Sequence, residues 1–447
     1  MGFNRDKNAV SANMDTARGQ KRRKIGLIFG AFALAVVSFF SGSFAVWFAL
    51  DEEIRTLIKV KNTIDREYYK DVDDEEFYGA IFDAVNAQLD PYSYYMNPDE
   101  YTQAANDLAG SRIGIGVSFN LKEIETSGKI SIARVCGNSP AEGVGMRAGD
   151  CIVGLGRTET TFTACEDYDE FTAFLAEFGE GEPFYLQIKR GEEILAFRLT
   201  RESYVESYVF YRSSTTAYSF TGEDALDLTE RGLPLAALPD DTAYVRLVRF
   251  GGAAVKEFET TMSVFKREGK KNLVLDLRGN GGGYVNTMQG IASYLCKNTQ
   301  EKNPVVMIAD YGEGKKEYYH AGGNYYADYF ASDSRLCVLA DSSSASASEA
   351  LLGVMVDYGG TSYGDICLFE RNGVTKTYGK GIMQSSFRLS LKGDVIKLTT
   401  AEIRWPVTEY SIHGRGVLPE DGTKTVEEGL TDEEELILAI EKLFSEN

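Results

Sequence analysis

The stretch Ser342-Ser343-Ser344-Ala345-Ser346-Ala347-Ser348-Glu349 concentrates five serine hydroxyls between two apolar segments. Leu336 to Ala340 precedes it, and Ala350, Leu351, Val354 and Met355 follow at helical spacing, which reads as strand, tight loop and helix. A hydroxyl at a helix start faces free backbone N–H groups and the positive end of the helix dipole, a setting that favours developing negative charge. That suits acyl transfer by a serine nucleophile. The same residues also suit a purely structural task, because Ser346-x-x-Glu349 is a capping box.

A serine nucleophile needs a base, and the chain has two histidines, His320 and His413. His320 lies in a polar, Tyr- and Gly-rich loop, and His413 has no evident carboxylate to orient it. A lysine can serve instead when burial lowers its pKa. Lys380, between Gly379 and Gly381 and running into a strand-like segment, is the candidate; its plain alternative is a turn lysine. Gly279 and Gly281 to Gly283 follow the apolar run Leu273 to Leu277. They make either a tight strand-to-helix connection or a turn whose N–H groups meet an anion.

Other chemistries find little support. No H-E-x-x-H and no phosphate loop ending in Lys-Ser/Thr is present. The six cysteines form no C-x-x-C pair and mostly sit in apolar runs, so neither a metal site nor an obligatory disulfide is expected, and no cofactor.

The 447 residues carry a formal net charge of −20, although residues 1–24 hold seven basic side chains against two acidic ones. So acidic a body argues against nucleic acid as partner. Ile25 to Leu50 is uncharged and mostly apolar, long enough for a bilayer core of about 30 Å. Lys21 to Lys24 before it and Asp51 to Glu53 after it predict a single-pass anchor with an extracytoplasmic body. A cleaved signal peptide ending at Ser43-Phe44-Ala45 is the rival.

The elements that must position these groups follow from pattern. Residues 51–107 read as helices and 108–203 as a small β-rich module. Residues 204–240 show little pattern and read as an insertion. Alternating strands and helices from Tyr244 onward give an α/β core over 204–430, and 431–447 form an acidic C-terminal helix. The apolar stripe of that helix, Leu436, Ile437, Ile440 and Leu443, fits either core or a homodimer interface.

Residues 108–203 resemble a PDZ domain, through Ser139-Pro140-Ala141 and Arg147-Ala148-Gly149-Asp150. The resemblance implies that Gly114, Ile115, Gly116 and Val117 bind a peptide C-terminus by β-augmentation. Over nearly the whole extramembrane part the chain resembles the carboxyl-terminal processing peptidases, the tail-specific serine proteases. The shared pieces are Leu89 to Ser93, the PDZ-like module, Leu275-Asp276-Leu277-Arg278 with its glycines, Ser344 to Glu349, and Gly379-Lys380-Gly381 with Gln384. Leu398 to Ala401 and Gly414 to Pro419 complete the order.

That resemblance implies a Ser–Lys dyad acting through an acyl-enzyme, with Ser346 as nucleophile, Lys380 as general base and Gln384 orienting it. Gly282 or Gly283 and Ala347 would supply oxyanion N–H groups. Asp357 matches a carboxylate of some members, but eleven residues of helix put it roughly 16 Å from Ser346, so its expected role is supporting. Gly279-Asn280-Gly281 replaces the family's Asn-Pro turn and predicts a more flexible turn. An added segment around Ile366 to Val374 reads as a gate or a hairpin extension. The expected partners are proteins with exposed C-terminal tails; a tail-binding scaffold without turnover is the alternative.

Overall fold

The computed structural model describes residues 47–119, 124, 127–213, 216–221, 224–227, 238–296, 299, 301–322, 333–358 and 360–445. The segment read as a membrane anchor falls outside them up to residue 46. Among the described residues no helix is long and apolar enough to cross a membrane. The chain divides into two compact units, Met1–Val85 and Asn86–Asn447.

In the first unit, α1 (Glu52–Glu67) precedes α2 (Asp74–Asn86). The amine of Lys61 is buried and joins the two helices by pairing with Asp65 and Asp74. Ile54 and Val60 of α1 are exposed.

The second unit opens with β1 (Tyr94–Met96) and α3 (Pro98–Ala109). Asn97 caps α3 by accepting the Asp99 and Glu100 N–H groups, and Gly110 in the left-handed region ends it. Then come β2 (Ser111–Gly114), β3 (Val117–Phe119), β4 (Ile130–Val135), α4 (Pro140–Gly143), β5 (Cys151–Thr158), β6 (Thr161–Ala164), α5 (Tyr168–Ala176), β7 (Pro183–Arg190), β8 (Glu193–Thr200) and β9 (Glu202–Val205). Strands order as β3-β4-β5-β7-β8, with β6 also on β5. This module has its own core, including Ile132, Phe171, Phe184, Leu186 and Ile188. The pair β2–β9 carries the chain in and out of it.

The remaining elements are β10 (Val209–Ser213), β11 (Thr216–Thr221), β12 (Asp224–Asp227), β13 (Thr242–Leu247), α6 (Ala254–Arg267), β14 (Asn272–Asp276), α7 (Val285–Ala292), β15 (Val305–Asp310) and β16 (Lys316–His320). β17 (Leu336–Asp341), α8 (Ala347–Asp357), β18 (Ile366–Phe369), β19 (Ile382–Arg388), β20 (Val395–Arg404), β21 (Lys424–Val426) and α9 (Asp432–Phe444) complete the chain. The main sheet orders as β12-β11-β10-β13-β14-β17-β18-β21 and is parallel from β13 to β21.

Strand alternation explains the layers. Leu273, Leu275, Leu336, Val338 and Ala340 face the core that α6, α7 and α8 complete. Val274, Cys337 and Leu339 face the other way, onto Leu436, Ala439, Ile440 and Leu443 of α9. Burial on both faces is why β14 and β17 read as continuous apolar runs. Phe258, Met262 and Phe265 of α6 are fully buried, each contributing about 1.5–3 kcal/mol by leaving water.

Two expectations change, and one left open is decided. Residues 204–240 are not a patternless insertion: β10 to β12 extend the sheet, with Val209 and Tyr211 alternating inward. The segment around Ile366 to Val374 begins as the fully buried strand β18, and Arg371 just beyond it pairs with Glu435 of α9. It is sheet and anchor, not a gate. The apolar stripe of α9 is core. All six cysteines are free thiols.

Candidate active site

Ser346 caps α8 with φ 58° and ψ −112°, in a region that non-glycine residues rarely occupy. Such strain costs about 1–3 kcal/mol and persists only where the surroundings enforce it. The neighbouring serines are committed. Ser344 Oγ donates to Leu277 O at 2.8 Å and accepts the Asp341 N–H at 3.0 Å. Ser348 Oγ donates to Asn280 O at 2.8 Å. The Ser346 hydroxyl makes no capping bond, and only the carboxylate half of the box is closed, with Ser346 N–H donating to Glu349 Oε2 at 3.1 Å.

Glu349, 1% exposed, does far more than cap a helix. Its Oε2 also accepts the Lys380 N–H at 2.8 Å. Its Oε1 accepts the Gly379 N–H and the Thr377 hydroxyl, both at 2.7 Å. One carboxylate thus ties the serine turn to the loop carrying Lys380. Burial pushes its carboxyl above the usual range, against the pull of these donors. The sequence shows the box but gives no sign of the contact thirty residues on.

The glycines beside Lys380 have a steric reason. A Cβ on Gly381 would stand 2.6 Å from His413 N, and one on Gly379 3.0 Å from Gly416 N. The loop therefore lies directly against the Gly414 to Pro419 segment, and Tyr378 N–H donates to Ser344 O at 3.0 Å. The Lys380 amine stands 4.5 Å from the centre of the Tyr92 ring and has no ion pair among the described residues. Burial lowers its pKa below the ordinary lysine value, and the charge of Lys397 adds to the effect.

Tyr92 belongs to the Leu89 to Ser93 turn, part of a region in which sequence alone reveals nothing catalytic. Asp90 and Ser93 fasten that turn to Thr399 of β20. Gln384 stands on β19 where the pairing with β20 is interrupted by a bulge, and its Nε2 is buried without an acceptor.

The glycine turn packs against the serine loop. A Cβ on Gly282 would meet Ala345 O at 2.8 Å and Ser346 Cβ at 2.9 Å; one on Gly283 would meet Phe250 O at 2.1 Å. Gly282 is not available as an oxyanion donor, because its N–H is donated to Asn280 Oδ1 at 2.9 Å. The N–H groups of Gly283 and Ala347 have no acceptor among the described residues. Nor is the turn loosened by the absence of proline. Asn280 is fully buried and donates from Nδ2 to Leu247 O at 2.7 Å, while its own carbonyl accepts Ala345 N–H and the Ser348 hydroxyl.

Gly281 to Gly283, Ser346, Ala347, Lys380 and Gln384 together line one cleft of about 490 Å³. Asp357 is elsewhere, at the far end of α8, where its carboxylate accepts the Val407 and Thr408 N–H groups. Neither histidine lines the cleft, and no cluster suited to a metal ion occurs among the described residues. In the β-rich module, Gly114 pairs with Glu202, the Ile115 carbonyl accepts the Ala141 N–H, Gly116 lies against Ser139, and Val117 begins the edge strand β3. Phe119 of that strand contacts Tyr168 and Phe171 of α5.

The model of peptidase family S41 matches residues 241–421. The chain is 27% identical over 379 residues to the "Probable CtpA-like serine protease" of Staphylococcus saprophyticus, covering 84% of this chain and 66% of that protein. It is 26% identical over 373 residues to the carboxy-terminal processing protease CtpB of Bacillus subtilis, covering 83% and 67%. A solved Bacteroides fragilis structure assigned to the S41 proteases aligns with TM-score 0.51 at 14% identity, covering 84% and 90%, which speaks to the fold alone. Residues 241–421 are thus a peptidase family S41 domain, and the chain that carries them is a homologue of the CtpA-like C-terminal processing proteases.

Proposed function

We propose that the chain is a serine endopeptidase that cleaves proteins at or near their C-terminal tails. The observation that carries this reading is the shared anchor of Ser346 and Lys380 on Glu349, beside two free N–H groups in one cleft. Neutral Lys380 takes the proton from Ser346 Oγ as Oγ bonds to the scissile carbonyl carbon. The N–H groups of Gly283 and Ala347 receive the oxyanion. The lysine ammonium then protonates the departing amine as the C–N bond breaks. Water, deprotonated by the same lysine, releases the acyl group and restores Ser346. Gln384 orients the lysine.

In the same reading residues 108–203 are a PDZ module. The edge strand β3, the Gly114 to Val117 turn and the aromatic contacts with α5 support capture of a tail by strand addition. Membrane attachment through residues 25–50, an extracytoplasmic body and a homodimeric state complete it and rest on the sequence. A scaffold without turnover draws no support from the glycine turn, which Asn280 holds, or from the segment after Ile366, which begins as the strand β18.

The test is cleavage of a protein with an apolar C-terminus by the full chain. Loss of cleavage in both Ser346→Ala and Lys380→Ala is expected; proteolysis that survives either change sinks the mechanism.

A further inference from the structure

The cleft is lined by cations, in a chain of net charge −20. Arg249, Lys380 and Lys397 line it, and no carboxylate does. None of the three cations is exposed, and none has an ion pair among the described residues. The Lys397 amine stands 5.4 Å from the centre of the Tyr94 ring. Arg249 donates to the backbone carbonyl of Asp107 at 3.2 Å, while the Asp107 carboxylate is taken by Arg112. Asp90 and Glu349, the acids whose charges act on Lys380, already accept from Ser93, Tyr92, Thr399 and the Lys380 loop. Gln384 Nε2 adds a buried donor without an acceptor.

A partly buried cation left unpaired is costly unless a ligand supplies the opposite charge. The two cations that take no proton in the reaction flank the reacting groups. Lys397 lies opposite Ser386, two residues along β19 from Gln384, and Arg249 adjoins Phe250, which bridges to Gly283. Apolar side chains, among them Met96, Met288, Met307 and Ile403, line the space as well.

Resting on the peptidase reading, we propose that this cleft selects peptides carrying a carboxylate within a few residues of the scissile bond, with apolar residues filling the Met-lined space. Lys397 and Arg249 are the specificity-determining residues. The carboxylate belongs to an Asp or Glu side chain or to the chain terminus itself.

Binding to the full chain bearing Ser346→Ala separates this from catalysis. Fluorescence anisotropy is measured for C-terminally amidated apolar octapeptides in which one Glu is walked through every position of a Gln-containing host. At least one position should bind about tenfold tighter than the host, with the gain shrinking as salt rises and disappearing in Lys397→Met or Arg249→Met. A neutral octapeptide with a free terminus forms a second arm; tighter binding there that is lost in the same variants assigns the site to the terminal carboxylate. Lys397→Glu should reverse the preference toward a walked Lys, a gain of function that misfolding cannot produce. Binding within twofold of the host at every position in both arms overturns the proposal, as does a gain that survives both Met substitutions. Hydrolysis of the host peptide by the unsubstituted chain tests the peptidase reading separately.

Discussion

Glu349→Gln should damage this site out of proportion to its size. The carboxylate accepts four hydrogen bonds, two at each oxygen, from Thr377, Gly379, Lys380 and Ser346. An amide keeps one accepting oxygen and turns an NH2 toward two donors. The less harmful orientation faces Thr377, whose hydroxyl can rotate, and still leaves the Gly379 N–H opposed. Hydrogen bonds to a charged acceptor are worth about 1.5–3 kcal/mol each. Two are lost, while the desolvation that raises the Glu349 carboxyl is relieved. The net loss should be about 2–3 kcal/mol of stability. Because the same group fixes both Ser346 and Lys380, kcat should fall at least a hundredfold with KM little changed, since small misplacements of reacting groups are expensive. Urea unfolding of the full chain gives the first number and a quenched fluorogenic peptide the second. Stability within about 0.5 kcal/mol of the parent, with kcat retained, would refute the argument that this carboxylate organises the site.

Three further outcomes are expected. With Lys380 lowered below 10.5 by burial and by Lys397, kcat/KM should rise with pH as the amine loses its proton, through a limb below that value. Lys397→Met should move the limb to higher pH, and a pH profile that ignores both lysines would count against Lys380 as base. Gly282→Ala places a Cβ against Ala345 O and Ser346 Cβ at φ 96°, so it should cost about 1–3 kcal/mol and lower kcat by more than stability explains. Burial raises the Glu257 carboxyl to about 7, against 4.5 in an open chain. Between those values the folded chain holds a proton that the unfolded chain has released, so the stabilisation is complete below pH 4.5 and is lost as pH rises to about 7. Thermal melts should therefore show Glu257→Gln gaining on the parent across that window, by up to about 3 kcal/mol.

The parts of this molecule that were legible in sequence are those written by local pattern. Leu273 to Leu277 and Leu336 to Ala340 announce buried strands because both faces are covered. The serine and glycine turns are visible because small residues cluster where backbone meets backbone. What stayed hidden depends on contacts far along the chain. The Tyr92 hydroxyl meets that of Tyr378 across 286 residues, and its ring covers Lys380. Glu349 shows itself as a cap and not as the link to Lys380. Asn280 looks like a loosened turn until its two side-chain bonds are seen. Strands β10 to β12 lie at the antiparallel end of the main sheet, and their mixed run of Tyr, Phe, Ser, Thr, Arg and Asp carries no continuous apolar signal of the kind that marks β14 and β17.

In the proposed mechanism Ser346, strained and without a capping bond, forms the acyl-enzyme. The most direct measurement is rapid-quench mass spectrometry of the full chain mixed with an activated peptide ester, followed by mapping of the modified fragment. One acyl group is expected, on the fragment at Ser346, absent in Ser346→Ala and slow to form in Lys380→Ala. Acylation at Ser344 or Ser348, or turnover with no acyl adduct at any quench time, would contradict it.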